Sequence, residues 1–195
     1  IFNNMLSQEF LSDLEGVPSC IESTLSHNTS KSILTLPFID DFSYSNSYPD
    51  NDLWISSNSI FINSSYAINP PTIGVATFDG LDFNRMAYSL AVTSSQSSDA
   101  DTLLSREIDL SANNSVYFFF YYQPQGIGDN PQDEDSLILE FKDVNNNWNV
   151  MWKRPGSQVT GFKKKSLLIN SLDYLHNSFQ FRFRNKATVS GNFDH

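Results

Sequence analysis

Asp40 and Asp41 are adjacent carboxylates at the start of the first predicted core strand. Neighbouring negative charges repel each other unless water or a cation lies between them. Calcium takes about six to eight oxygen ligands from carboxylates, amides and carbonyls, often in loops between strands. Asp194, near the other end of the chain, would join the pair if the first and last strands are neighbours. The spacing leaves two alternatives, a calcium site or a solvated acidic turn, and alone it favours the turn.

A second acidic segment is the predicted loop at residues 126–135, where Asp129 and Asp133 follow closely spaced glycines. The loop lacks the ligand spacing of an EF-hand and the glycine pattern that cradles phosphate. An exposed loop at one end of a sandwich is the favoured interpretation. Because such loops often bind ligands, Asp129 and Asp133 are candidate ligand-binding residues.

Residues that could carry out catalysis do not form a complete set in this sequence. Glu107 and Asp109 resemble the start of the paired-carboxylate strand of jelly-roll glycoside hydrolases, but Ser111 or Ala112 stands where the second glutamate is needed. The single cysteine, Cys20, has no nearby base and acid to activate it. The three histidines match neither a metal-ligand spacing nor a Ser-His-Asp order. We therefore expect a protein that is not an enzyme.

Aromatic and basic residues offer a different chemistry, the recognition of sugars. Any of the three tryptophans, Trp54 and the evenly spaced Trp148 and Trp152, could stack on a sugar ring, as could Tyr121 or Tyr122. Trp54 is the candidate for ligand binding. Burial in the core is the favoured alternative for the tryptophans. A basic cluster near the end of the chain is either a solvated surface or a patch for an acidic glycan; it comprises Lys153, Arg154, Lys163, Lys164 and Lys165.

Composition and charge argue against two kinds of partner, nucleic acid and the interior of a membrane. The net charge of −10 argues against nucleic acid, whose phosphates need a basic surface. Only 17% of the 195 residues are charged, and a low charge with many Ser and Asn is typical of secreted β proteins. The apolar runs are too short to cross a membrane, so we expect no direct membrane insertion.

The candidate site residues are positioned by β-strands, which the sequence pattern predicts. Residues 179–185 alternate three Phe with Gln and two Arg, which predicts a half-buried strand. Residues 116–122 are apolar on both faces and predict a central strand. Residues 143–147 predict a hairpin loop between two antiparallel strands. Together the patterns predict an all-β antiparallel sandwich of the jelly-roll type at 34–195. Residues 1–33 form a tail or linker with a possible short amphipathic helix.

Several phrases of the sequence occur in the order found in a domain of large surface proteins of gliding-type bacteria. The phrases include LPFIDDF at 36–42, NPPTIGVATFDG at 69–80, IDLS at 108–111 and GNFD at 191–194. In these phrases the chain resembles MAM-like and concanavalin-like jelly-roll domains exported by type IX secretion. The resemblance covers about residues 33–195.

The resemblance implies an extracellular or cell-surface address and a structural calcium between the first and last strands. It supports Asp40, Asp41 and Asp194 as metal ligands and adds Asp79. It also implies a further strand after His195, so the sandwich is expected to be truncated before its last strand.

We therefore expect a non-catalytic extracellular module that mediates adhesion or scaffolding. Its partners would be a surface protein, a glycan, or neighbouring domains of the same polypeptide. The alternative is a carbohydrate-binding module attached to a secreted degradative enzyme. Exposed aromatic side chains would favour sugar binding, whereas a fully buried aromatic set would favour the scaffold.

Overall fold

The computed structural model describes residues 33–43, 47–55, 59–84, 86, 88, 96–128, 130–158 and 161–188. All of them lie in one compact unit, Ile33–His195. Apart from Ile33, the predicted N-terminal tail lies outside the described residues, as does the segment 191–194.

Most strands of the described residues have sequences in which apolar and polar side chains alternate. In chain order the strands are β1 (Trp54–Ile55), β2 (Phe61–Asn63), β3 (Val75–Thr77), β4 (Ser98–Ser105), β5 (Val116–Tyr122), β6 (Ser136–Lys142), β7 (Trp148–Pro155), β8 (Lys163–Ile169) and β9 (Phe181–Ala187). Every pairing between them is antiparallel. The described residues contain no helix, and hence no helix long and apolar enough to span a bilayer. The structure confirms the predicted all-β sandwich.

The strands form three sheets. The largest has five strands in the order β1-β4-β9-β6-β7, and two smaller sheets are β2-β3 and β5-β8. The predicted 143–147 hairpin is confirmed, because β6 and β7 pair on either side of it and Asp143 accepts hydrogen bonds from the backbone N–H groups of Asn145 and Asn147.

The core lies between the five-stranded sheet and β5-β8. On the central strand β9, Phe181 faces inward and is 3% exposed. The ring of Phe118 on β5 packs edge-on against it, with ring centroids 4.8 Å apart. Phe120 makes the same type of contact with Phe183, also at 4.8 Å. These aromatic contacts join the two layers.

One prediction about the core is wrong. Residues 116–122 were expected to be buried on both faces, but β5 pairs with β8 alone among the described strands. Its side chains alternate between partly buried and exposed. The inward rings supply the core, whereas Tyr117, Phe119 and Tyr121 face outward.

Candidate functional site

A cleft of about 980 Å³ lies between the layers of the sandwich. Its floor includes inward residues of the five-stranded sheet, such as Leu103 and Phe183. One set of lining residues comes from β5, and another comes from the segment 36–42 together with β3. The cleft is therefore largely apolar, and its carboxylates come mainly from the loops beside these strands.

Four residues predicted to form sites line this cleft: Asp40, Asp41, Asp79 and Trp54. Asp40 is held by two hydrogen bonds. Its Oδ2 accepts from the indole Nε1 of Trp54 at 2.6 Å, and its Oδ1 accepts from the backbone N–H of Phe42 at 2.8 Å. Phe42 adopts a φ of 53°, a left-handed conformation rare for an aromatic residue, and its ring stacks on Trp54. Asp40 thus ties the turn at Phe42 to the core tryptophan.

Asp41 is exposed and closes a local turn. Its Oδ1 accepts hydrogen bonds from the backbone N–H and the hydroxyl of Ser43. These bonds, led by the one from the hydroxyl, lower the pKa of Asp41. The carboxylate is therefore ionised at neutral pH and is stabilised without a cation.

Asp79 belongs to a second acidic group, which includes the fully buried Asp101. The Asp79 N–H donates to Asp101 Oδ2 at 2.8 Å, and the Tyr88 hydroxyl donates to Asp101 Oδ1 at 2.9 Å. Burial, followed by the charge of Asp79, raises the pKa of Asp101 to about 7. On the other side, Asn185 Nδ2 donates to the Asp79 carbonyl at 2.9 Å. The sequence analysis did not identify Asp101 as a site residue, because its burial beside Asp79 depends on the fold.

These acidic residues offer the oxygen ligands that calcium prefers. Within the described part of the chain, however, no three His, Cys, Asp or Glu side chains are grouped so that they could hold a metal. The predicted ligand Asp194 lies outside the described residues, as does the candidate Asp129. Asp133 is exposed in a turn and is not among the residues that line the cleft.

The outer face of β5-β8 is a second candidate site, which we call the aromatic face. Tyr117, Phe119 and Tyr121 project outward from β5, and Ser166 and Lys164 project beside them from β8. Tyr117 is 77% exposed, Phe119 57% and Tyr121 48%. Large apolar side chains gathered on an exposed surface often mark an interaction site. Of these residues the sequence pointed only to Tyr121 and to Lys164.

Three of the predicted sugar-stacking residues, Trp54, Tyr121 and Tyr122, lie in different environments in the structure. Trp54 is 3% exposed, packed against Phe38 and Phe181, so it is a core residue. Tyr122 faces inward and packs edge-on against Trp152. Tyr121 alone of the three is exposed.

The outer face of the five-stranded sheet carries an ion-pair network. Glu140 is 4% exposed and bonds Arg182 at 2.6 Å and Arg184 at 3.0 Å. Arg182 also lies over the ring of Trp148, 4.3 Å from its centroid. Burial alone would raise the pKa of Glu140, but the hydrogen bonds from Arg184 and Arg182 outweigh it and lower the pKa. The Phe-Arg alternation predicted the outward arginines but not their partner.

No protein-family model matches this chain, and no curated protein or solved structure shows significant similarity to it. The resemblance to surface-protein jelly rolls therefore stays a prediction, and the function is argued from the residues themselves.

Proposed function

We propose that this chain is a non-catalytic β-sandwich module of a secreted or cell-surface bacterial protein, and that it mediates adhesion or scaffolding. The observation that carries the proposal is the aromatic face, whose exposed rings favour adhesion to a glycan over a purely scaffolding role. Three large rings on one strand are between 48% and 77% exposed, although the same strand buries its other rings in the core. Exposing such rings to water is unfavourable, so a surface of this kind is best explained by contact with a partner.

The roles of the acidic residues support a module without catalysis. Asp40 and Asp41 hold a local turn, and Asp101 joins Asp79 to Tyr88. On the outer face of the main sheet, Glu140 neutralises two arginines. Each of these carboxylates has a structural task in the hydrogen bonds and ion pairs that hold it.

The test of this proposal measures binding and turnover together. The intact chain would be screened against a glycan array and against immobilised surface proteins, beside a variant in which Tyr117 and Tyr121 are both alanine. We expect a ligand that the wild type retains, the variant loses, and neither converts, as judged by chromatography after prolonged incubation. Release of a product by the wild type would refute a non-catalytic module. Equal binding by the variant would show that the aromatic face is not the binding site.

A carbohydrate-binding module attached to a degradative enzyme is the second candidate. The specific observation in its favour is that the three exposed rings lie in one line along β5. Retention of an insoluble polysaccharide, with no binding to surface proteins, would favour this candidate over general adhesion.

A structural calcium also belongs to the proposal. Asp40, Asp41 and Asp79 line one cleft but are not grouped as a set of three that could hold a metal. One or two of them would therefore supply carboxylate oxygens, and the remaining ligands would come from Asp194, carbonyls or water. We expect calcium to raise the Tm of the intact chain and an excess of chelator to reverse the rise, as measured by differential scanning calorimetry. Asp41→Asn should reduce the rise, whereas Asp173→Asn, at another exposed turn, should not. An identical Tm in calcium and chelator would contradict this site.

A further inference from the structure

The aromatic face has the chemistry of a site for a linear, negatively charged sugar chain. We propose that it binds an acidic polysaccharide, with the sugar rings on Tyr117, Phe119 and Tyr121 and the acidic groups beside Lys164. This inference rests on the proposed function, since it assigns a ligand class to the surface on which that function depends.

The arrangement of the rings fits an extended ligand. Side chains on one face of a strand recur at every second residue, so neighbouring rings are about 7 Å apart. Sugars present apolar C–H faces that can lie on an aromatic ring, and a tyrosine hydroxyl adds a hydrogen-bonding group at the rim. Three rings in a row along β5 would therefore support consecutive parts of one chain.

The charge beside the rings selects acidic sugars. The Nζ of Lys164 lies over the ring of Phe119, 4.4 Å from its centroid, and 6.0 Å from the centroid of Tyr121. A bound sugar acid would therefore draw this ammonium off the Phe119 ring and onto its own carboxylate. Lys163 follows at the exposed end of β8, and neither β5 nor β8 contains an acidic residue. Although the chain carries a net charge of −10, charges interact over only about 8 Å at physiological ionic strength. The local lysines therefore outweigh distant acids.

The same composition is less suited to a protein partner. The centre of a protein interface is generally depleted of lysine and serine. Here Lys164 and Ser166 face Tyr121 and Phe119 directly across the strand pair, and the one apolar neighbour on β8 is Leu168, 49% exposed opposite Tyr117. Rings bordered by ammonium and hydroxyl groups match the alternating apolar and polar surfaces of a sugar acid.

The test is a calorimetric titration of the intact chain with polygalacturonate oligomers and, in parallel, with the same oligomers after methyl esterification, which removes their charge. We expect binding to the acidic form only. Tyr117→Ala should weaken it by about tenfold, and Lys164→Gln by about threefold at low salt. Added salt should reduce the difference between Lys164→Gln and the wild type.

Two variants serve as matched controls. Phe83→Ala removes a ring that is 62% exposed and lies outside the aromatic face, and Lys153→Gln removes an exposed lysine of β7. Both should bind polygalacturonate as the wild type does. Circular dichroism and the Tm should show that all variants are folded, as expected for outward-facing positions.

Three outcomes would overturn the inference: equal affinity for the esterified oligomers, equal weakening by the control variants, or no binding to polygalacturonate. In the last case, a different ligand that still depends on Tyr117 would leave the module function standing. If no ligand is found whose binding requires Tyr117 and Tyr121, both the proposed module function and the acidic-polysaccharide site are wrong.

Discussion

Asp101 is the residue whose environment differs most from that of an ordinary aspartate. It is fully buried, next to Asp79, and its pKa is raised from 3.8 to about 7. A raised pKa in the folded state means that the folded protein binds the proton more tightly than the unfolded chain does. The stability contributed by this group is therefore complete below about pH 4 and is lost as the pH rises towards 7.

Asp101→Asn should remove that pH dependence. The asparagine oxygen can still accept from the Asp79 N–H, and its amide can donate to the Tyr88 oxygen, so the contacts survive without a charge. We expect the variant to gain stability over the wild type as the pH rises from 4 to 7, by roughly 2–4 kcal/mol in total. Urea denaturation at a series of pH values measures this. A difference in unfolding free energy that stays constant from pH 4 to 8 would contradict the prediction.

Glu140 has the opposite behaviour. The pKa of this buried carboxylate is lowered because hydrogen bonds from Arg184 and Arg182 outweigh the effect of its burial. Its contribution to stability is therefore present above its unfolded value of about 4.5 and is lost as the pH falls below it.

Glu140→Gln should destabilise the protein by about 2–3 kcal/mol at pH 7, because two partly buried arginines lose their counter-charge. Asp99→Asn is the matched control. Asp99 also contacts Arg184, but its side chain is 67% exposed, so its loss should cost about 0–1 kcal/mol. Equal losses in urea denaturation would show that burial does not decide the strength of these pairs.

At the scale of elements, sequence reasoning succeeded where periodicity determines the strand. The alternation at 179–185 is confirmed from Phe181 onward, although Gln180 is buried and precedes the strand, and the hairpin between β6 and β7 is confirmed. Sequence reasoning failed where the pattern of a strand does not specify which other layer packs on each of its faces. The apolar run of β5 cannot reveal that only one of its faces meets another layer. The cleft likewise depends on loops far apart in the sequence, so its acidic lining could be predicted only in part.

A β-bulge explains why the spacing of two tryptophans does not predict which face of β7 each one occupies. Trp148 and Trp152 are an even number of residues apart, which in a regular strand places both on one face. The register of β7 shifts opposite Leu139 and Glu140, where an extra residue enters the strand. Trp152 therefore packs inward on Phe120, whereas Trp148 lies beneath Arg182 on the outer face.

Gly74 positions β3 against the segment that carries Asp40. A Cβ at Gly74 would overlap the carbonyl oxygen of Phe42, and it would lie 3.1 Å from Ile62 Cγ2. Gly74→Ala should therefore push these two segments apart and cost about 1–3 kcal/mol. Gly161→Ala is the control, because a Cβ there meets no atom within 4 Å. The Tm of each variant checks the prediction, and an equal Tm would contradict the close approach.

At the scale of the whole molecule, the two layers do not cover each other evenly. Phe181 and Phe183 are both inward residues of the central strand β9. Phe181 lies beneath Phe118 and beside Phe38 and is 3% exposed. Phe183 is only partly buried, and both rings line the cleft. Among the described residues, Phe183 is therefore the less covered of the two rings that line the cleft.

Truncating these two rings tests whether the cleft exists in solution. Phe181→Ala should cost about 3–5 kcal/mol, as expected for a fully buried aromatic ring. Phe183→Ala should cost clearly less, because part of its surface is already in contact with water and less apolar area is lost on truncation. Urea denaturation at one pH gives both unfolding free energies. If the two variants lose the same stability, Phe183 is as well covered as Phe181 in solution, and the cleft is filled by another part of the protein. A smaller loss at Phe183 would establish that the sandwich holds an accessible apolar cleft in its native state.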